Sequence, residues 1–270
     1  EEVRVCRYRE FNPRSVRSLA GFFSTAPRSL VYTHSSEMEG LIRQAVGKTQ
    51  FDLVIASQLS MGAYYRAFRG IPAILEEEEL AMYCPWACGA DSLHNSFRHR
   101  LAWAKHRSYL GRLLRHFRAC TVASEAERRL LAAAVPHYQS VHVIPNTIDL
   151  SLFPAPAKER VQDSLIFSGP MSYRPNYDAV LWFLREVYPA VKSEIPGARL
   201  TVTGDPGSFP RPADPDVVFT GWVDDVRTLV GRSAVSIVPI RQGGGTRLKI
   251  LEAMALGTPV VTTSKGAEGL

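Results

Sequence analysis

The chain has 270 residues, 46% of them hydrophobic, a formal net charge of +6 and an isoelectric point near 9.3. That is enough apolar material for two cores of about 100–150 residues each. No apolar run reaches the roughly 18 residues of a membrane span, and the opening EEVRVCRYRE lacks the basic-then-apolar order of a signal peptide. A cytoplasmic protein is therefore expected.

The cationic excess suits a polyanion, an acidic substrate or an anionic membrane surface. Nucleic acid is disfavoured as a partner, because no zinc-finger or RRM-like signature accompanies the charge. Cys6 and Cys120 stand alone, while Cys84 and Cys88 flank Pro85-Trp86-Ala87. A single CxxxC pair with no second pair and no nearby His is a poor zinc signature, so no metal is expected.

From Phe51 to Val143, short β-rich runs alternate with longer helical ones. Strands are expected at 51–57, 72–75, 119–124 and 140–145, and helical periodicity covers 60–69, 92–117 and 124–134. This alternation implies a parallel sheet with helices on both faces. Pro145-Asn146 opens a proline-rich, weakly periodic stretch that ends at Asp163 and reads as a linker. The pattern then restarts with strands at 165–169, 199–204, 217–221, 234–240 and 259–263. Helices are expected over 176–191, near 223–231 and over 246–256. The resulting division is a first domain over 1–146, a linker over 147–163 and a second, Rossmann-like domain over 164–270. The chain opens on Glu without an evident first strand and stops just after a strand, so both domains are expected to be incomplete.

In an open parallel sheet, ligands bind beyond the carboxyl ends of the strands, where helix N-termini expose unpaired N–H groups. Two loops of the second domain have that placement. Ser168 to Asn176 has Gly169 at the strand exit and Arg174 before the helix, which suits a diphosphate, although a plain turn with Asn176 as N-cap fits equally. Gly243-Gly244-Gly245-Thr246-Arg247 leads into a helix carrying Lys249 and Glu252. Three glycines there weaken the chain unless its backbone must approach something closely. Arg247 and Lys249 reach an anion at the helix start, and Glu252, on the same side as Lys249, can accept bonds from ribose hydroxyls. A Lys249–Glu252 surface pair is the alternative, and it leaves the glycines unexplained.

The stretches IPNTIDLSLF (144–153), FSGPMSYRPNYDAVLWF (167–183), FTGWVDDV (219–226) and GGGTRLKILEAMALGTPVV (243–261) resemble the donor-binding half of retaining family 4 glycosyltransferases from bacterial polysaccharide and cell-surface biosynthesis. FDLVIASQLSMGAYYRA, the run Glu76 to Glu79 and TVASEAERRLL extend the resemblance thinly into the first domain. It implies the α/β GT-B fold of two Rossmann-like domains. The implied activity is transfer of a sugar, with retention, from a nucleoside-diphosphate sugar to a carbohydrate or lipid-linked acceptor, without metal or other cofactor.

Carried over by the same resemblance, Glu252 matches the second glutamate of the E-x7-E motif and would bind ribose. The first glutamate of that motif falls at Gly244. Arg174, Arg247 and Lys249 would face the diphosphate, Trp222 and Val223 the base, and Gly243, Gly244 and Gly245 the phosphate and sugar. Gly169 and Thr246 complete the donor set, with Arg247 and Lys249 stabilising the leaving diphosphate. Glu77 is the candidate to meet the acceptor, against the reading of 76–79 as a solvated helix start; Ser57 and Gln58 share its strand-end position. The basic stretch Phe97 to Arg118 reads either as an anionic-membrane face or as a core-packed helix with a solvated basic side. An epimerase of the same fold and an inactive nucleotide-sugar-binding module are the alternatives. An NAD-dependent dehydrogenase is disfavoured because no G-x-G-x-x-G turn follows a strand.

Overall fold

Runs such as Ala73-Ile-Leu-Glu76 and Ser233 to Val238 form strands because aliphatic residues on both faces of a parallel sheet are covered by the helices that connect them. These strands are seen in a computed structural model. It describes every residue except 1, 8, 77–79, 81–92, 154–158, 206 and 244, and at 17, 20 and 93–99 the backbone alone. Glu77, Gly244 and the Cys84–Cys88 pair therefore lie outside the described residues. The chain forms two compact units, Glu1–Pro145 and Asn146–Leu270.

In the first unit, β1 (Val54–Ser57), β2 (Ala73–Glu76), β3 (Ala119–Val122) and β4 (Val141–Val143) pair in parallel in the order β1-β2-β3-β4. Leu75 and Cys120 from the sheet meet Leu110 and Leu113 of α5 (Leu93–Leu113) and Leu131 of α6 (Glu125–Ala134) in its core. Preceding the sheet are α1 (Val16–Ala20), α2 (Arg28–Thr33) and α3 (Ser36–Lys48). Sequence periodicity read no element there. Yet α3 carries a clear start signal: the Ser35 hydroxyl accepts from the Met38 N–H, and Glu37 and Glu39 sit in the first turn.

The helix expected over 60–69 is shorter and split, into α4 (Gln58–Gly62) and a 3₁₀ turn, Tyr65–Phe68. At Gly62 a Cβ would come within 2.7 Å of Leu75 Cδ1 and 3.1 Å of Leu113 Cδ2, so α4 lies directly on β2 and α5. The basic stretch through α5 turns its apolar side to the core, with Leu110, Leu114 and Phe117 buried. Lys105 donates to the carbonyls of Gly21 and Phe22 at 2.8 and 3.1 Å, and Arg112 to that of Thr25 at 2.8 Å. Part of its charge thus holds the segment 21–25 in place. Among the described residues, no helix is long and apolar enough to cross a membrane.

The second unit winds outward twice from its central strand. β5 (Val161–Phe167) is followed by β6 (Arg199–Thr203) and β7 (Val217–Gly221) on one side, then by β8 (Ser233–Val238) and β9 (Val260–Thr262) on the other. The parallel order is β7-β6-β5-β8-β9. Neighbouring residues of β5 serve opposite faces. Phe167 packs into the cluster with α7 (Arg174–Glu186) and α8 (Tyr188–Glu194), whereas Ile166 joins Val230 of α9 (Arg227–Arg232) and Ala253 of α10 (Leu248–Ala255).

Two expectations change here. The stretch 147–163 is not all linker, since it holds a 3₁₀ turn, Leu150–Leu152, and the first three residues of β5. Those residues read poorly as strand because Asp163, at φ 56°, interrupts the alternation and shifts the register between Val161 and Leu165. The single helix expected over 176–191 is broken at Val187, because Pro189 lacks the N–H that would bond the Arg185 carbonyl and its ring crowds that carbonyl; the proline instead sits in the first turn of α8.

Candidate functional site

The two windings of the second unit part between β5 and β8, so the loops leaving those strands diverge and no connection covers the gap between them. They line a cavity of about 360 Å³. Ser168, Gly169 and Tyr173 contribute from the β5 side, and Thr246, Arg247, Lys249 and Glu252 from the β8 side.

Glycines shape the second loop. Gly243 and Gly245 take φ values of +94° and +76°, and Arg247 is still non-helical, so α10 starts at Leu248, two residues later than expected. Gly243 lies beside Arg247 and Tyr173, since a Cβ on it would be 3.5 Å from Arg247 Nη2 and from the Tyr173 hydroxyl. Arg247 donates through Nη1 to the Gly245 carbonyl at 3.1 Å. The Thr246 hydroxyl is buried and has no hydrogen-bond partner among the described residues.

Lys249 runs back from the first turn of α10 toward the β5 loop. Its amine donates to Asn176 Oδ1 at 3.2 Å and lies 4.1 Å from the centre of the Phe167 ring. The Asn176 amide donates in turn to the Pro170 carbonyl at 2.9 Å, which ties the two loops together. Position 169 favours glycine because its φ is +138°, and a Cβ there would also press on Lys249 Nζ at 2.7 Å. Burial pushes the Lys249 pKa down to about 7; Arg247 adds to the shift and Glu252 opposes it. Lys249 is thus an enclosed amine, and the alternative of a surface pair with Glu252 is set aside. Glu252, one turn further along α10, lines the cavity and forms no ion pair among the described residues.

Other expected residues stand elsewhere. Arg174 opens α7, pairs with Asp178 at 2.8 Å, lies over the Phe209 ring and keeps a side chain 68% exposed. The reason is local: an i,i+4 carboxylate is nearer than the cavity. Trp222 is 78% exposed and donates to Asp224 at 3.2 Å, while Val223 is half-buried. Neither lines the cavity, because both follow β7, the edge strand two places from β5. Asn176 is a site residue that sequence reasoning took only as an N-cap. Pro175, a residue favoured in the first turn, marks the helix start before it and frees its side chain to face inward.

At the strand ends of the first unit, the Ser57 hydroxyl donates to Glu76 at 2.6 Å, and Gln58 takes φ 66°. Such strain in a non-glycine residue accompanies functional sites. Among the described residues no group of three His, Cys, Asp or Glu side chains is arranged to hold a metal ion.

Comparison with known proteins gives this geometry a family. Residues 162–270 match a model described as glycosyl transferases group 1, and residues 2–147 match a glycosyl transferase 4-like domain. Over 117 residues the chain is 26% identical to a Klebsiella pneumoniae protein described as an uncharacterized 44.6 kDa protein in the cps region, covering 39% of this chain and 30% of that protein. The fold is that of sucrose-phosphate synthase from Thermosynechococcus elongatus, with a TM-score of 0.62 and 17% identity over 85% of this chain and 60% of that one. It is also that of the pneumococcal O-GlcNAc transferase GtfA, solved with UDP and GlcNAc, with a TM-score of 0.61 and 14% identity over 86% of this chain and 46% of that one. Anabaena HepE, solved with UDP and glucose, gives a TM-score of 0.56 and 14% identity over 85% of this chain and 63% of that one. The chain therefore spans less than two thirds of each of these relatives. With a domain model matched on either side of residue 147, between them taking in nearly the whole sequence, the chain belongs to the group 1 glycosyl transferases.

Proposed function

We propose that the cavity between β5 and β8 binds the diphosphate and ribose of a nucleoside-diphosphate sugar, and that the protein transfers the sugar to a carbohydrate or lipid-linked acceptor with retention of configuration. The observation that carries this reading is the enclosed amine of Lys249, set around the start of α10 with Arg247 and with the Thr246 hydroxyl, which has no partner among the described residues. Among the described residues the hydrogen-bond partner of this amine is the neutral Asn176 amide; a largely enclosed cation so placed is costly to a fold, and an anionic ligand is the counterion that relieves it. Glu252 supplies the acceptor oxygens for a ribose diol. The UDP complexes of GtfA and HepE, which share the fold, favour a nucleotide in this role.

As the bond from the anomeric carbon to the leaving diphosphate breaks, negative charge gathers on the diphosphate oxygens. Arg247, Lys249 and the N–H groups at the helix start stabilise it there, and such fixed donors count most where charge develops in the transition state. The acceptor hydroxyl supplies the attacking oxygen and gives up its proton as the new glycosidic bond forms.

Calorimetric titration with UDP, GDP and ADP tests the assignment. One nucleotide is expected to bind, and Arg247→Ala and Glu252→Ala are each expected to weaken it by about 1–3 kcal/mol, the range for hydrogen bonds involving a charged group. Unchanged affinity in both variants would remove the site.

A further inference from the structure

The first unit contains a concavity of about 490 Å³, bounded by the start of α3, the turn after α4 and the end of α5. That volume is typical of small-ligand sites. Its walls are aromatic and cationic. Tyr64 stacks on His34 with ring centroids 4.8 Å apart, and Tyr65 on His116 at 4.0 Å. Arg66 and Arg112 also line it, and among the described residues their hydrogen bonds go to neutral oxygens. Arg66 donates to the Tyr65 hydroxyl at 3.2 Å, and Arg112 to Ser108 Oγ and the Thr25 carbonyl at 2.8 Å.

Among the described lining residues Glu39 is the one carboxylate, and it is already met by Arg43 at 2.7 Å and His34 at 3.4 Å. Among the described residues neither Arg66 nor Arg112 forms an ion pair, although the Glu39 charge is felt at Arg66. The surroundings respond accordingly: His116 is held below its ordinary pKa by burial first and then by Arg69, Arg66 and Arg115, so the local field is positive.

An inorganic anion would satisfy the arginines and leave the paired rings unused. An apolar ligand would suit the rings and strand two cations in contact with it. A sugar ring offers a C–H face to an aromatic plane, and one that also bears an acidic group answers both features. We propose that this concavity binds a monosaccharide unit carrying a carboxylate or a phosphate, with its ring against Tyr65 and His116 and its charge on Arg66 and Arg112. The site shares no element with the nucleotide cavity, so it stands or falls separately from the donor-site reading.

Histidine C–H resonances of the 270-residue chain provide the readout, with His116 assigned by His116→Gln. Four probes are titrated: glucuronate, glucose 6-phosphate, glucose and inorganic phosphate. The two charged sugars are expected to shift the His116 signal to saturation, in the wild-type chain and equally in Arg247→Ala. Glucose and phosphate are expected to bind about tenfold more weakly or not at all. Arg66→Gln, a change at an exposed side chain, is expected to weaken the charged sugars about tenfold with an unchanged melting temperature, the loss of one charge-assisted hydrogen bond. Tyr65→Leu should weaken them while sparing phosphate. Equal responses to phosphate and glucose 6-phosphate, or affinity indifferent to Arg66→Gln, would overturn the proposal.

Discussion

Lys249 carries a charge that the second unit would be more stable without. Its amine is enclosed by Gly169, Asn176 and Phe167, and its pKa has fallen to about 7 from an ordinary 10.5. Below about pH 7 the lysine is charged in both the folded and unfolded chains, and the whole desolvation cost falls on the fold. Between about 7 and 10.5 the unfolded chain holds the proton and the folded one does not, so stability rises with pH through that window. Lys249→Met keeps the shape and removes the cost. It should raise stability at pH 6.5 by about 1 kcal/mol or more and flatten that rise, both read from urea unfolding across pH. Nucleotide binding should show the opposite trend. An anion restores the charged amine, so affinity is greatest below about pH 7 and falls above it, with proton uptake on binding at pH 8. Calorimetry in two buffers of different ionisation enthalpy measures that uptake; its absence, or a Lys249→Met variant that binds normally, would separate the lysine from the phosphate.

At the scale of elements, the loops after β5, β6 and β7 are packed against one another by their backbones. Gly204 sits at φ +98°, donates to the Gly221 carbonyl at 2.7 Å, and leaves no room for a side chain: a Cβ would be 2.1 Å from the Gly169 carbonyl oxygen. Gly204→Ala must displace the loop that carries Gly169, and with it the seat of Lys249. A loss of about 2–4 kcal/mol in stability is expected, together with weakened nucleotide binding, checked by thermal melting and titration of the same sample. The strand positions behind these loops were legible from sequence, because buried parallel strands are built on apolar runs such as Ile166-Phe167 and Ile237-Val238 between helical periods. The helix starts were less legible. Capping at Arg247 and the break at Val187 depend on glycine and proline geometry that periodicity does not measure. Lys249 was legible as an anion-facing cation, but Asn176 read only as a cap. An asparagine after Pro175 has a surface role in most chains, and only the loop-to-loop contact with Lys249 at 3.2 Å turns it inward. Arg174, left open by the sequence between a diphosphate contact and a plain turn, pairs here with Asp178 one turn along. The α3 signal was fully present, in the Ser35 cap and in Met38, Leu41, Ile42, Ala45 and Val46 at helical spacing, of which Met38, Ile42 and Val46 pack on the first core; the reading of alternating elements began only at Phe51.

For the molecule as a whole, each unit has a core of its own. The cluster around Leu75 and Leu114 draws only on residues before Pro145, and the clusters around Phe167 and Ile166 only on residues after Asn146. Hydrophobic burial is additive within a core, so each unit carries an apolar reason of its own to stay folded. A ligand held by Arg247, Lys249 and Glu252 stabilises the folded state of the second unit alone, by about 2.7 kcal/mol at a hundredfold excess over its dissociation constant. Amide hydrogen exchange should then show UDP, or whichever nucleotide binds, slowing exchange in β5, β8 and α10 while β1, β2 and β3 exchange as before. A charged monosaccharide seated beside Tyr65 and His116 should produce the reverse map, with protection in α3 and the end of α5. Uniform protection of both sheets by the nucleotide would mean that the units unfold as one, and that burial within each core is not what limits the stability of either.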